Sequence, residues 1–128
     1  MNPLHAQFKQ AKAIGALSAL YGIYILKKCT NMDELRDEID QVDRLIVPLL
    51  LERIQLIAQA GHIKTDRNTV RDDWRIEDVV AKVKAEASKH GGNTDYVETL
   101  YRYIIEYSIN YEFDVWDAVY GVEAKRKA

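Results

Sequence analysis

One long amphipathic segment, residues 32–64, constrains the fold of this chain more than any other feature. Asn31 just before it is a favourable helix N-cap, and Glu34 follows at capping-box spacing. The segment predicts a single helix, kinked at Pro48, because proline removes one backbone hydrogen bond and presses on the preceding turn. Its apolar side chains recur at the spacing of one helical face: Leu35, Ile39, Val42, Ile46, Leu49, Ile57 and Ala60.

Two cations lie on the apolar stripe of this predicted helix. Arg53 and Lys64 project within about 20° of each other, because 11 residues turn an α-helix through about 1100°. A buried cation is costly unless it meets an anion. No acidic residue lies on the same face of the segment to neutralise both cations. We therefore predict that an anionic small molecule binds here, held between helices.

The remaining sequence predicts an all-α protein with two further helices. After a polar loop over residues 65–69, the second helix is expected over 71–89, where Arg71 and Arg75 lie one turn apart. Gly91 and Gly92 end it, since glycine is the usual residue past a helix C-terminus. The third helix is expected to open at Asn93–Asp95, with Asp95 and Glu98 at capping spacing, and to continue to about Tyr120. The predicted buried stripe of the second helix is Ile76, Val79, Val80, Val83 and Ala87.

Residues 1–31 differ in composition from the rest, with four lysines, no acidic residue and a 14-residue largely apolar run over 13–26. That run is shorter than the ~20 residues that span a bilayer. Three interpretations stay open: an accessory helix docked on the domain, an export signal or membrane anchor, and an extension ahead of a start at Met32. We predict a helical N-terminal extension at 1–31, a helical domain at 32–120 and a C-terminal tail at 121–128.

The overall composition limits the possible partners. A net charge of -2 gives no general attraction to nucleic acid. The single cysteine, Cys29, cannot form an internal disulfide, and His5, His62 and His90 show no metal-ligand spacing. We predict a cytoplasmic protein without a metal or cofactor. Membrane contact through residues 1–31 is the alternative location.

The third predicted helix also carries polar residues on an apolar face. Ser108 and Glu112 interrupt the stripe formed by Val97, Tyr101, Ile104 and Val115. Glu112 has a purely structural explanation, namely a salt bridge with Arg53. Arg36 lies about 100° around a straight helix from Arg53, so it would need a second protomer to reach the same site.

Together these patterns resemble the all-helical class of chorismate mutases, including the related isochorismate-pyruvate lyases. The resemblance covers about residues 32–118. The matching text is LRDEID at 35–40, LLER at 50–53, GHIK at 61–64, VRD at 70–72 with Arg75, and IIEYS at 104–108 followed by Glu112.

The resemblance implies an intertwined homodimer of three-helix protomers, each with a long first helix and each site taking one arginine from the neighbour. Arg36 of the partner subunit and Arg53 would bind a substrate carboxylate, and Lys64 would contact a carboxylate and the ether oxygen whose bond breaks. The resemblance also implies that Asp72 helps to hold the ring hydroxyl and that Ser108 contacts a carboxylate. Arg75 would add positive potential and orient the site.

The implied reaction is the pericyclic rearrangement of chorismate to prephenate, in the shikimate pathway to aromatic amino acids. Two positions depart from the mutase pattern: Glu112, where many mutases have glutamine, and Ile76, where glutamate is frequent and grips the ring hydroxyl. An apolar residue at 76 resembles the lyase branch, which forms salicylate and pyruvate from isochorismate. An amino-substituted chorismate as substrate, and a helical module that binds a dianion or a protein without catalysis, are further alternatives.

Overall fold

The computed structural model describes residues 27–127, with side chains to residue 121. This part of the chain is all-helical: α1 (Met32–Ile63), a 3-10 turn (Arg67–Thr69), α2 (Asp73–Lys89) and α3 (Thr94–Lys127), with no strand. The predicted all-α class with three helices is confirmed for these residues. The predicted N-terminal helix lies almost wholly outside them. No helix within 27–127 is both long and apolar enough to cross a membrane.

The chain divides into two units, Met1–Glu52 and Arg53–Ala128. In the first unit, the predicted cap is present: the Glu34 amide donates to Asn31 Oδ1 at 2.9 Å. The Glu34 carboxylate accepts from the amide of Thr30 at 3.1 Å instead of from Asn31, so the capping box closes one residue earlier than predicted. The helix continues through Pro48.

The apolar stripe of α1 in the first unit is exposed in a single chain. Leu35, Ile39, Val42 and Ile46 have 39%, 49%, 45% and 43% of their surface accessible. Four apolar side chains at helical spacing form a continuous face, and such a face favours burial against another apolar surface.

In the second unit, α2 packs against α3 around Val80 and Ile105, which are buried together with Val70 and Trp116. The Asp72 carboxylate accepts from the Arg75 amide at 3.2 Å and caps α2. Because Asp72 is the cap, the helix begins at Asp73, and Arg71 precedes it rather than opening it as predicted.

The predicted stop signal of α2 is confirmed. Gly91 has a φ of 68°, and its amide donates to Ser88 O at 3.0 Å. The Gly92 amide donates to Ala87 O at 2.8 Å. These two bonds form a Schellman motif, which satisfies carbonyls that the helix leaves without partners.

The ends of α3 differ from the prediction. The capping residue is Asn93, whose Oδ1 accepts from the Tyr96 amide at 3.1 Å, and not Asp95. The helix continues past Tyr120 to Lys127. Its final residues include Glu123, Ala124 and Lys125, which are good helix formers, so the sequence lacks a local stop there.

Gly61 lets the last turn of α1 approach α3 closely. A Cβ at this position would lie 2.8 Å from Val115 Cγ1 and 3.2 Å from the carbonyl oxygen of Glu112. Such distances are shorter than a normal van der Waals contact, so any side chain here would push the two helices apart. The absence of a side chain at 61 therefore sets the spacing between the end of α1 and α3.

We expect Gly61→Ala to lower the free energy of unfolding by about 1–2 kcal/mol, because overpacking outweighs a helix-propensity gain of about 1 kcal/mol. Gly121→Ala is the matched control, since its Cβ would meet only Asp117 Cβ at 3.9 Å. The control should be neutral or stabilising. Urea unfolding of both variants measures the difference, and equal stability would contradict the close-approach explanation.

Candidate active site

A pocket of about 370 Å³ opens in the second unit between the C-terminal part of α1, α2 and α3. Every predicted site residue of this unit lines it. The lining residues are Arg53, Ile57, Ala60, Lys64, Val70, Asp72, Arg75, Ile76, Val79, Ile105, Ser108, Ile109 and Glu112. Arg36 belongs to the first unit, and its contribution from a partner protomer stays a prediction.

Lys64 directly follows α1 and extends its ammonium group into the pocket. Lys64 Nζ lies 2.8 Å from Glu112 Oε2 and donates to the carbonyl of Val70 at 3.2 Å. The Glu112 side chain is only 7% exposed, whereas that of Lys64 is 29% exposed. The site thus holds a nearly buried carboxylate against a cation that still faces the pocket.

The structural explanation offered for Glu112, a salt bridge with Arg53, is wrong, because Glu112 pairs with Lys64. Arg53 lies 11 residues earlier along the chain, about 16 Å along a helix axis. Its guanidinium meets Ser108 instead, one turn before Glu112 on α3. Sequence spacing placed both cations on one face but did not determine which α3 residue each would meet.

Arg53 is half-buried and has no anionic partner among the described residues. Its Nη1 donates to Ser108 Oγ at 3.0 Å, and its Cζ lies 5.8 Å from the centre of the Tyr101 ring. Ser108 in turn donates its hydroxyl proton to the carbonyl of Ile104 at 2.7 Å. A guanidinium held by neutral groups keeps its full charge available for an anionic ligand.

Arg75 reaches the pocket from the first turn of α2, but its charge is shared. It forms an ion pair with Asp78, which also accepts from Lys82 Nζ at 2.9 Å. Hydrogen bonds from Lys82 and Arg75 lower the pKa of Asp78, which keeps this carboxylate ionised. Arg75 therefore adds less positive potential than an unpaired arginine. Ile76 lies beside it as an apolar part of the wall.

Three contacts around Lys64 were not predicted. The Val70 carbonyl is one. The others come from α3: Trp116 Nε1 donates to the carbonyl of Lys64 at 3.0 Å, and the Tyr120 hydroxyl donates to the carbonyl of His62 at 2.6 Å. Trp116 follows Glu112 by one helical turn, and this spacing was the available signal. Backbone acceptors such as Val70 O carry no sequence signal, since every residue has one.

The described residues contain no group of three or more His, Cys, Asp or Glu side chains that could hold a metal ion. The absence of a cofactor stays a prediction. The pocket combines three cations (Arg53, Lys64 and Arg75), the carboxylates of Asp72 and Glu112, of which the second is nearly buried, and apolar walls. Such a lining suits a small molecule with carboxylates and an apolar ring or chain.

Comparison with known proteins gives a consistent relationship. Residues 35–113 match the family model for chorismate mutase type II. A bifunctional chorismate mutase/prephenate dehydratase from Buchnera aphidicola subsp. Acyrthosiphon pisum is 33% identical over 75 residues, which are 58% of this chain and 20% of the relative. A T-protein from Enterobacter agglomerans is 31% identical over 85 residues, 66% of this chain and 23% of the relative.

A third relative is an isochorismate pyruvate lyase from Pseudomonas aeruginosa, 25% identical over 93 residues. This similarity covers 73% of this chain and 92% of the relative. The chain therefore spans about a fifth of the length of the first two relatives and nearly all of the third.

Proposed function

Because this chain belongs to the chorismate mutase type II family, we propose that it rearranges chorismate to prephenate. The observation that carries the proposal is the half-buried Arg53, without an anionic partner among the described residues, in the same pocket as Lys64. Chorismate is a dianion with an apolar ring, which matches this combination of charge and walls. The product would enter the synthesis of aromatic amino acids.

The proposed mechanism is electrostatic and needs no covalent intermediate. The breaking ether bond leaves negative charge on its oxygen, and a preorganised donor at that position lowers the barrier. Lys64 Nζ is the proposed donor. Its contacts with Glu112 and Val70 fix the ammonium group before substrate arrives, so little reorganisation is needed. The helices hold the flexible substrate in its compact conformer, which lowers the entropic part of the barrier.

Arg53 is proposed to bind a substrate carboxylate, because a guanidinium fork can hold both carboxylate oxygens. Ser108 supports this role by accepting from Arg53. For Ser108 to contact a substrate carboxylate as predicted, its hydroxyl must give up the hydrogen bond that it donates to the carbonyl of Ile104. Asp72 is proposed to hold the ring hydroxyl with the carboxylate oxygen that does not cap α2, and Arg75 to add positive potential.

We further propose that the active form is a homodimer in which Arg36 completes the site of the partner subunit. The support is the exposed apolar face of α1 in the first unit, formed by Leu35, Ile39, Val42 and Ile46. A second copy would cover this face with an identical one, as two-fold symmetric interfaces do. Pairing of the first helices would bring a further arginine to each pocket.

An isochorismate-pyruvate lyase is the second candidate function. Ile76 supports it, because this apolar side chain lines the pocket where glutamate is frequent in mutases. The similarity to the lyase from Pseudomonas aeruginosa also extends over 92% of that relative. Both reactions are pericyclic and need the same cationic groups, so the position of the ring hydroxyl is the chemical difference.

The deciding experiment incubates the purified protein separately with chorismate and with isochorismate. Product identification by chromatography and mass spectrometry should find prephenate from chorismate. Salicylate and pyruvate from isochorismate, without prephenate from chorismate, would establish the lyase instead. Unchanged substrate in both reactions, with binding detected by calorimetry, would establish a non-catalytic binding module.

A carboxylate at 112 repels the negative charge that develops on the ether oxygen, whereas a carboxylic acid or an amide can donate a hydrogen bond. We expect Glu112→Gln to raise kcat, because the amide removes this repulsion while keeping a side chain of similar size in the pocket. Steady-state rates of both proteins, measured at one pH, test this expectation. Glu106→Gln is the control, since Glu106 pairs with Arg71 outside the pocket. An equal kcat for wild type and Glu112→Gln would refute the role of this side chain.

A further inference from the structure

The last part of α3 extends past the family match and contacts the end of α1. The match stops at residue 113, whereas α3 continues to Lys127. We call Trp116, Asp117 and Tyr120 the C-terminal clamp. All three are beyond the match, and each bonds to a residue between the end of α1 and the 3-10 turn.

Two members of the clamp hold the backbone next to the proposed catalytic lysine. The last carbonyls of a helix have no partner within the helix. The hydroxyl of Tyr120 donates to His62 O at 2.6 Å, and the buried indole of Trp116 donates to Lys64 O at 3.0 Å. The two rings also contact each other, with centroids 5.0 Å apart. The backbone on which the Lys64 side chain stands is therefore fixed by α3.

The third member holds the connection that follows Lys64. Asp117 accepts two hydrogen bonds from Arg67, at 2.9 and 3.2 Å, and the Arg67 guanidinium lies 4.6 Å from the centre of the Phe113 ring. This connection leads to Val70, whose carbonyl accepts from Lys64 Nζ at 3.2 Å. The clamp thus fixes both the backbone of Lys64 and one acceptor of its ammonium group.

We propose that Trp116 and Tyr120 are positioning residues for Lys64, so that the α3 extension is part of the working site although it touches no substrate. This inference rests on the proposed mutase or lyase function. A group that stabilises developing charge must lie within a fraction of an ångström of its productive position, and a displacement of 1 Å lowers rates by about 10²-fold. Loss of either clamp bond lets the lysine backbone move relative to Glu112.

The test compares Trp116→Phe and Tyr120→Phe with wild type on whichever substrate is turned over. Both variants keep an aromatic ring; Tyr120→Phe removes only the hydroxyl donor, whereas Trp116→Phe removes the indole N–H together with part of a buried ring. We expect kcat to fall by about tenfold or more with a much smaller change in KM, because Lys64 acts on the transition state. Tyr103→Phe is the control on the same helix, since that side chain is 75% exposed. Its kcat should equal that of wild type.

A double-variant comparison separates positioning from general stability. In a Lys64→Ala background, Trp116→Phe should cause no further loss of kcat, because its effect acts through the missing ammonium group. Tyr120→Phe carries the same test if Trp116→Phe does not fold. If Trp116→Phe lowers kcat by the same factor in the wild-type and the Lys64→Ala backgrounds, the inference is overturned. It is also overturned if the wild-type enzyme is active and neither Trp116→Phe nor Tyr120→Phe changes kcat. Wild-type inactivity on both substrates would instead overturn the proposed function.

A readout independent of activity comes from the two tryptophans of the chain. Trp116 is 9% exposed and Trp74 is 74% exposed, so each reports a different environment. In nitrogen-15 spectra of the wild-type protein, the indole N–H of Trp116 should exchange with deuterium far more slowly than that of Trp74. Tyr120→Phe should speed the exchange at Trp116 only. Equal exchange rates for the two indoles in wild type would show that the hydrogen bond from Trp116 to Lys64 O is not maintained, which would contradict the inference.

Discussion

Replacing Lys64 with alanine should lower kcat by about 10²–10³-fold, which is the usual loss when one preorganised donor to a developing negative charge is removed. Lys64 Nζ is held 2.8 Å from Glu112 and 3.2 Å from Val70 O, and it is the only ammonium group among the described residues that line the pocket. Steady-state kinetics on the identified substrate measure the effect. A kcat within a few fold of wild type would refute the catalytic role of this residue.

The variant also leaves the Glu112 carboxylate buried without its cation, which costs stability. The double variant Lys64→Ala/Glu112→Gln removes that unpaired charge. It should regain stability in urea unfolding without regaining kcat, which separates the catalytic loss from the structural one. Lys89→Ala is the control, because Lys89 is exposed near the end of α2 and does not line the pocket. This control should keep wild-type kinetics and circular dichroism.

Arg53→Ala and Arg36→Ala should each abolish most activity, yet a mixture of the two should be active. In the proposed dimer each site combines Arg53 of one protomer with Arg36 of the other. A heterodimer of the two variants therefore contains one site with both arginines and one with neither. Random mixing makes half of the dimers heterodimers, so the mixture should reach about a quarter of wild-type activity. Kinetics after joint unfolding and refolding measure the recovery.

A matched mixture of Arg53→Ala and Lys64→Ala provides the control. Both residues line one pocket of one protomer, so every site in every dimer lacks one of them. This mixture should stay inactive. Light scattering must show that wild type and the three single variants, Arg36→Ala, Arg53→Ala and Lys64→Ala, all have the mass of a dimer. If neither mixture recovers activity, the proposal that Arg36 contributes to the partner's site is refuted. If the wild-type protein is a monomer, the proposed dimer is refuted as well.

Local chemistry made parts of the fold predictable from the sequence. The cap at Asn31 and the stop at Gly91 depend on side chains and backbone freedom within a few residues of each helix end, and both predictions are confirmed. The end of α3 was missed because Gly121 and its neighbours neither adopt a left-handed conformation nor prevent helical hydrogen bonding. Gly121 therefore lies within α3 and does not end it.

The sequence predicted which residues line the site, but not which cation pairs with which residue of α3. Helical spacing and the family resemblance brought Arg53, Lys64, Ser108 and Glu112 to one pocket. Which cation meets Glu112 depends on how far along each helix the contacts fall, and this is set by tertiary packing at Gly61 and Trp116. Single-sequence patterns carry angular information about a helix face, but they contain no measure of axial offset between two helices.

Arg53 and Lys64, the two cations proposed to contact the substrate, stand on different kinds of backbone. Arg53 lies inside α1, where hydrogen bonds before and after it prevent movement along the axis, whereas Lys64 is the first residue after the helix. The Lys64 amide still donates to Ala60 O at 3.0 Å, but the Lys64 carbonyl accepts from Trp116 of α3. The backbone position of Arg53 is therefore set by α1 alone, whereas the position of the Lys64 ammonium group depends on α1 and α3 together, so a shift of α3 would alter the distance between the two cations.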